Sequence, residues 1–255
     1  MKKTLIASLI SLMSVTSVMA ADPTSPVTPT IPTMITVSPN ATAALAESTT
    51  NSVFIDQSGD NPTVNMTQIG SGNKAGSASN PVYLRGIGQN IVTVQQGDNN
   101  VISTLQVTNG TTGSVGASVT IEQIGNSNTV DAVCGDTSTG CDRAKINWQF
   151  SGNSNSMYYR GKGSDLTSQV SVAGNGNAFN VAMIGNGHSQ IVNVSGDNNN
   201  FNLSQTSTGA SGSSMLISQT GTGTTYNVQQ SGSVDNVLSI NSVSNGGSFN
   251  ILQRR

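Results

Sequence analysis

Residues 150–205 read FSGNSNSMYYRGKGSDLTSQVSVAGNGNAFNVAMIGNGHSQIVNVSGDNNNFNLSQ. Within them Phe150, Gly161, Val172, Met183, Val194 and Gln205 stand eleven residues apart every time. Two residues after the first five of these comes a glycine, at Gly152, Gly163, Gly174, Gly185 and Gly196. Five residues after them stand Asn155, Leu166, Asn177, His188 and Asn199, a mostly polar set. Apolar residues alternate between the marks, as in Phe179, Val181, Met183 and again in Phe201, Leu203. Alternation places one set of side chains on one face of a strand, so each unit reads as a short strand closed by a glycine turn. A fixed period with a turn in every unit marks a repeat array, here a solenoid of strands.

Extended outward, the same ruler places strand ends at Gln57, Gln68, Leu84, Gln95, Gln106, Gln123 and Cys134 before this stretch. After it come Gln219, Gln230, Ser242 and Gln253, which makes 17 candidate strands. Turn glycines recur at Gly59, Gly70, Gly97, Gly125, Gly152, Gly174, Gly185, Gly196, Gly221 and Gly232. Extra residues follow the second, fifth, seventh, thirteenth and fifteenth strands. If strands alternate between two stacked sheets, four of these five insertions leave on one edge, as insertions in repeat proteins do. The expected fold is all-β: a cross-β solenoid of about 17 short parallel-stacked strands, two to each coil of about 22 residues.

Parallel, in-register stacking turns each marked position into a column. Gln57, Gln106, Gln205, Gln230 and Gln253 fall in one, and Gln68, Gln95, Gln123 and Gln219 in another. A buried amide costs a few kcal/mol unless paired. A column of amides at the strand repeat satisfies itself, each carbonyl accepting from the next amide along the axis. In the middle of the array Cys134, Phe150, Gly161, Val172, Met183 and Val194 take the glutamine place, so hydrophobic packing is expected to replace the ladder there.

Only 9% of residues are charged and 4% aromatic, against about 25% charged in an ordinary globular domain. The formal charge of −2 selects no partner class, and nothing indicates nucleic acid. Residues 1–20 have the form of a secretory signal peptide. Lys2 and Lys3 give the basic start, an apolar run follows, and Val18, Met19 and Ala20 offer a small-residue cleavage site. That run is too short to span roughly 30 Å of hydrocarbon. Residues 21–50 are Pro- and Thr-rich, with prolines at 23, 26, 29, 32 and 39, and read as a flexible segment, either a secretion-recognition signal or a spacer. Residues 51–255 form the repeat region.

The spacing Gln-x-Gly-x-x-Asn, with glutamine again eleven residues after the first, resembles the curlin repeat of bacterial curli subunits. Here Gln95, Gly97, Asn100 and Gln106 carry the whole pattern. Gln68, Gly70, Asn73 and Gln123, Gly125, Asn128 carry its first part. The resemblance covers residues 51–255. It implies an exported functional amyloid that adds subunits at its ends to build an extracellular biofilm and adhesion fibre on a Gram-negative cell. It also implies a nucleator subunit, an outer-membrane secretion pore and a periplasmic chaperone as partners beside further copies of the chain. The Pro/Thr-rich segment departs from the Gly/Asn-rich one usual in the family, and the array is longer than the family's. Many repeats favour a major subunit; the basic end Gln253-Arg254-Arg255 favours a nucleator.

Cys134 and Cys141, the two cysteines, are separated by six residues in an inserted loop. They form either a local disulfide, suited to an oxidising compartment, or two free thiols with Cys134 packed inward. Asp60, Asp98 and Asp197 lie in Gly-Asp-Asn turns, but a calcium β-roll needs a nine-residue period, so these acids read as breaks in exposed β-surface. One histidine and scattered acids leave no catalytic constellation, metal site or cofactor to expect. The alternative function is a monomeric secreted β-solenoid adhesin.

Overall fold

The computed structural model describes residues 51–108, 114–136, 139–206, 213–232 and 236–254. The expected leader and the Pro/Thr-rich segment lie outside these. The described residues contain no helix, and their strands pair in parallel. Two long sheets carry the body. The first stacks Ser52–Val53, Lys74–Ala75, Val101–Val107, Thr129–Cys134, Ser156–Ser164, Ala178–Ile184, Asn200–Thr206, Thr225–Ser231 and Ser248–Arg254 in chain order. The second stacks Thr63–Ile69, Asn90–Gln96, Ser118–Ile124, Lys145–Ser151, Thr167–Gln169, Ser189–Ile191, Ser213–Ser214 and Asn236–Val237. Ile217–Gln219 and Ile240–Ser242 pair separately, and Gln219 N–H still reaches Asn193 O below at 3.3 Å. The chain is a parallel β-solenoid of about seven turns.

Stacked equivalents lie 22 residues apart where the ruler is uninterrupted, as for Ala178 on Asn200, and 27 or 28 apart across the longer insertions. Strand segments among the described residues number 24 rather than 17. One cause is interruption: Thr167–Gln169 and Val172–Ala173 pair side by side with the single strand Lys145–Ser151. The other is that an insertion splits a strand: Lys74–Ala75 and Val82–Ile87 both pair with Val101–Val107, Val101–Val107 and Ser114–Val115 both pair with Val82–Ile87, and Thr129–Cys134 and Cys141–Asp142 both pair with Ser156–Ser164.

The alternating side chains meet between the sheets in one core. At mid-array Trp148 and Tyr159 face each other with ring centroids 4.9 Å apart, and both are fully buried. Trp148 donates its indole N–H to Ser168 Oγ at 3.2 Å, which satisfies the polar atom it brings inside. Tyr159 explains why Gly161 holds a glutamine place: a Cβ there would stand 2.5 Å from the Tyr159 hydroxyl. Burial also raises the Tyr159 hydroxyl pKa. Toward the C-terminal end Phe179, Phe201, Tyr226 and Phe249 stack at centroid spacings of 4.9, 4.8 and 5.1 Å. The rings thus repeat at the strand spacing itself. On the outer surface, ion pairs join Asp131 to Arg160, Asp136 to Lys162 and Asp165 to Arg143.

The aromatic column gives a stability prediction. Phe201→Ala, with stacked rings on both sides, should cost about 3–5 kcal/mol in denaturant unfolding. Phe249→Ala, in the last strand and half-buried, should cost less than half of that.

Candidate functional site: amide ladders and open end faces

The turns that follow the first six second-sheet strands are closed by asparagine. Asn73, Asn100, Asn128, Asn155, Asn177 and Asn199 are buried and lie one above another. Each side-chain oxygen accepts the backbone N–H of the next asparagine, with N···O distances of 2.9–3.0 Å. From Asn128 to Asn199 each Nδ2 also donates to the oxygen of the asparagine below, at 3.0 or 3.1 Å. Its second hydrogen goes up to a glycine carbonyl: Asn100 to Gly125 O at 2.7 Å, Asn128 to Gly152 O at 2.8 Å, Asn177 to Gly196 O at 2.9 Å. Asn51 starts the column by accepting from Asn73 N–H at 3.0 Å. Thr224 ends it, its N–H donating to Asn199 Oδ1 and its hydroxyl to Ser244 O.

Glycine makes this bond possible. A Cβ on Gly125 would lie 2.1 Å from Gly152 O, the carbonyl that Asn128 needs. The backbone there has φ +113°, which L side chains rarely adopt. The same relation holds from Gly70 to Gly221, and the other expected turn glycines, Gly59, Gly185 and Gly232, also have positive φ. The Gly-x-x-Asn spacing is therefore one device rather than two.

The glutamine columns are shorter than the ruler implies. Gln68 donates to Gln95 at 2.7 Å and Gln95 to Gln123 at 2.8 Å, and there the run meets Phe150. In the other column Gln205, Gln230 and Gln253 stack in register, yet the Gln230 to Gln205 contact is 3.4 Å. Gln205 and Gln230 instead donate across the core to Ser189 O at 3.0 Å and Ser214 O at 2.7 Å. Three assignments change. Gln106 is outside its column, because the pairing slips at Ser103 and Val107 takes the inward place under Cys134. Gln57 is exposed and stacks on Leu84, not on a glutamine. Gln219 bonds to Thr224 Oγ1 and Ser244 O and accepts from the Tyr226 hydroxyl.

A second column runs on the outside of the same turns. Ser71 N–H donates to Asp98 Oδ1, Asp98 N–H to Asn126, Asn126 N–H to Asn153, each at 2.8 Å. Asn153 and Asn175 continue it to Asn175 and Asp197, and Thr222 donates to Asn245 at 2.9 Å. Asp98 and Asp197 are thus members of a ladder. Cys134 and Cys141 are joined in a disulfide. Among the described residues no three His, Cys, Asp or Glu side chains gather as metal ligands would.

On the opposite corner the equivalent column holds Gln89, Ala117, Ala144, Leu166 and His188, all buried. His188 Nε2 lies 2.6 Å from Ile184 O, and its Nδ1 accepts Ser213 N–H at 3.2 Å, which fixes the neutral Nε2–H tautomer. Burial holds its pKa below the usual value despite the Ile184 contact.

Both ends of the array repeat its interior without a cover among the described residues. Ile55–Ser58 and Thr63–Ile69 each pair on one side only, as do Ile240–Ser242 and Ser248–Arg254. Val53, Val64 and Met66 at one end, and Ile240, Phe249 and Ile251 at the other, are core side chains left partly exposed. Sequence reasoning named these ends but missed the buried asparagine column, although the residue five after each strand end already marked it. No protein-family model, no curated protein and no solved structure matches the chain.

Two measurements test this site. Asn128→Ala removes the acceptor of Asn155 and the donor to Gly152 O, and should cost about 3–5 kcal/mol, while Gln106→Ala should change stability by less than about 0.5 kcal/mol. Equal costs in urea titration would refute the ranking. For His188, a folded-state pKa below the unfolded value of about 6.5 means the unfolded chain binds the proton first. Its contribution is complete above pH 6.5 and is lost as pH falls from there toward the folded value. The melting temperature should therefore drop between pH 7.5 and 5.5 by more in the wild type than in His188→Leu, the side chain that Leu166 supplies one coil below.

Proposed function

We propose that the chain is a structural subunit of an extracellular fibre of the functional-amyloid, curli-like type, which grows by end-to-end stacking of solenoid coils. In this reading the array is built from two-strand coils of about 22 residues, some 17 strands in all. The protein is exported through the periplasm and works at the cell surface in biofilm matrix and adhesion. Its partners are further copies of itself, a nucleator, a secretion pore in the outer membrane and a periplasmic chaperone. The observation that carries the proposal is the pair of open ends. Natural solenoids that stay monomeric cap their terminal repeats, because bare strand edges recruit further strands. Among the described residues both ends offer unpaired edges and half-buried core side chains.

The purified chain without residues 1–20 should form fibres with a cross-β reflection near ~4.7 Å and bind amyloid dyes. A chain that stays monomeric for weeks would falsify the proposal. Gln57→Ala combined with Gln68→Ala, both in the first coil, should slow growth far more than Val172→Ala, which lies inside one subunit. Equal growth rates at matched concentration would remove the end-ladder mechanism.

A further inference from the structure

The two sheets do not hold the same number of stacked strands. The first sheet's path holds nine, beginning at Ser52–Val53 and ending at Ser248–Arg254; the second sheet's path holds eight. The described array therefore begins and ends on the same side. On the premise that this chain stacks end to end as proposed above, that imbalance constrains how the next copy sits. If it were placed without rotation, its first strand would cover Ser248–Arg254. Its Thr63–Ile69 would then stand two strand spacings, about 10 Å, above the end of the second sheet. A slot one strand wide would remain open beside the core.

We infer that successive copies are related by a half-turn about the solenoid axis. Rotated so, the next copy's residues 53–57 cover the end of the second sheet at Ile240–Ser242. Its Thr63–Ile69 then covers Ser248–Arg254, and both sheets continue at one spacing.

The side chains at the ends agree with this placement position by position. Gln253 meets Gln68 of the next copy, with Phe249 and Ile251 under its Val64 and Met66. That brings together four partly exposed core side chains and continues a glutamine run. Asn51 of the next copy falls above Asn236, the one asparagine in the corner column that runs from Gln89 through Ala117, Ala144, Leu166 and His188 to Ser213. Asn51 N–H, whose equivalents donate to an asparagine oxygen below, finds one there. Without rotation it would fall above Gly247, which has no side chain to accept it. In the outer turn column the N–H of Asn245 needs an acceptor from above, as Thr222 N–H has in Asn245. The half-turn places Asp60 of the next copy there, as Asp98 stands above Ser71.

Cross-linking separates the two placements. Leu252 is half exposed on the outer face beside Gln253, Thr67 holds the equivalent place beside Gln68, and Asp56 holds it beside Gln57. The native disulfide is left intact. Fibres are grown from equal mixtures of Leu252→Cys and Thr67→Cys chains, and separately from Leu252→Cys and Asp56→Cys chains, then oxidised and run on non-reducing gels. Dimers from the first mixture and not from the second are expected. The reverse result overturns the half-turn and calls for an additional strand in the slot. Fibres that cross-link in neither mixture overturn it as well. Chains that form no fibres in either mixture, and none as wild type, remove the fibre reading and this inference with it. Should the cysteine variants alone fail to assemble, the symmetry of wild-type fibres by electron microscopy decides: a rotation near 180° per subunit supports the inference and one near 0° ends it.

Discussion

Everything in this fold hangs on one bond: an asparagine side-chain oxygen accepting a backbone N–H from the coil above. A chain that turns back in every coil leaves the peptide groups of its turns off the regular ladder. Buried without partners, each would cost on the order of 1–3 kcal/mol. The asparagine answers with both ends of its amide, its oxygen taking the N–H above and its nitrogen reaching the glycine carbonyl above, as Asn128 does with Asn155 and Gly152. Coil spacing is then fixed at the turns as well as along the strands.

That bond frees the interior to vary. Where the turns are held by asparagine, the inward places tolerate glutamine runs at Gln68, Gln95 and Gln123, a tryptophan–tyrosine pair at mid-array and stacked phenyl rings beyond. These solutions share only their repeat distance. Long insertions are tolerated for the same reason: five extra residues between Asn73 and Asn100 change the offset from 22 to 27 but leave the Asn100 N–H bond to Asn73 Oδ1 at 2.9 Å.

Period and turn chemistry were legible in the residues because both leave marks at fixed spacing. Glycine at +2 and the apolar alternation between marks pointed to the solenoid, while asparagine at +5, as at Asn155, Asn177 and Asn199, marked the buried column without showing its bonds. The glutamine ladder was overdrawn, for reasons spacing cannot carry. One residue of slip at Ser103 moves Gln106 out of its column while the motif around Gln95, Gly97 and Asn100 stays intact. Gln205 and Gln230 keep their places, but the carbonyls of the facing sheet compete successfully for their amides. A ruler locates a side chain along the axis and is silent on whether its hydrogens run along that axis or across it. The disulfide was left open for a similar reason, since spacing allowed either outcome.

The two turn columns show how the same amino acid comes under different constraints a few ångströms apart. In the buried column the side chain must both accept and donate, so aspartate would bring an unpaired charge inside and lose the bond to the glycine carbonyl. Thr224, which replaces it toward the far end, still supplies a donor, to Ser244 O. The outer column asks for an accepting oxygen in contact with water. There aspartate serves as well as asparagine, and Asp98 and Asp197 alternate with Asn126, Asn153 and Asn175. The two columns also run in opposite senses. Inner oxygens accept from the coil above, whereas outer N–H groups donate to it. Among the described residues the inner column thus ends on an open donor at Asn51 and the outer column on an open donor at Asn245, while Thr224 and Gly247 leave no asparagine oxygen at the far end of the inner column. Two identical ends brought face to face would have their strands running antiparallel, whereas unlike ends keep them parallel. A polarity along the axis is thus written into the turns as well as the sheets.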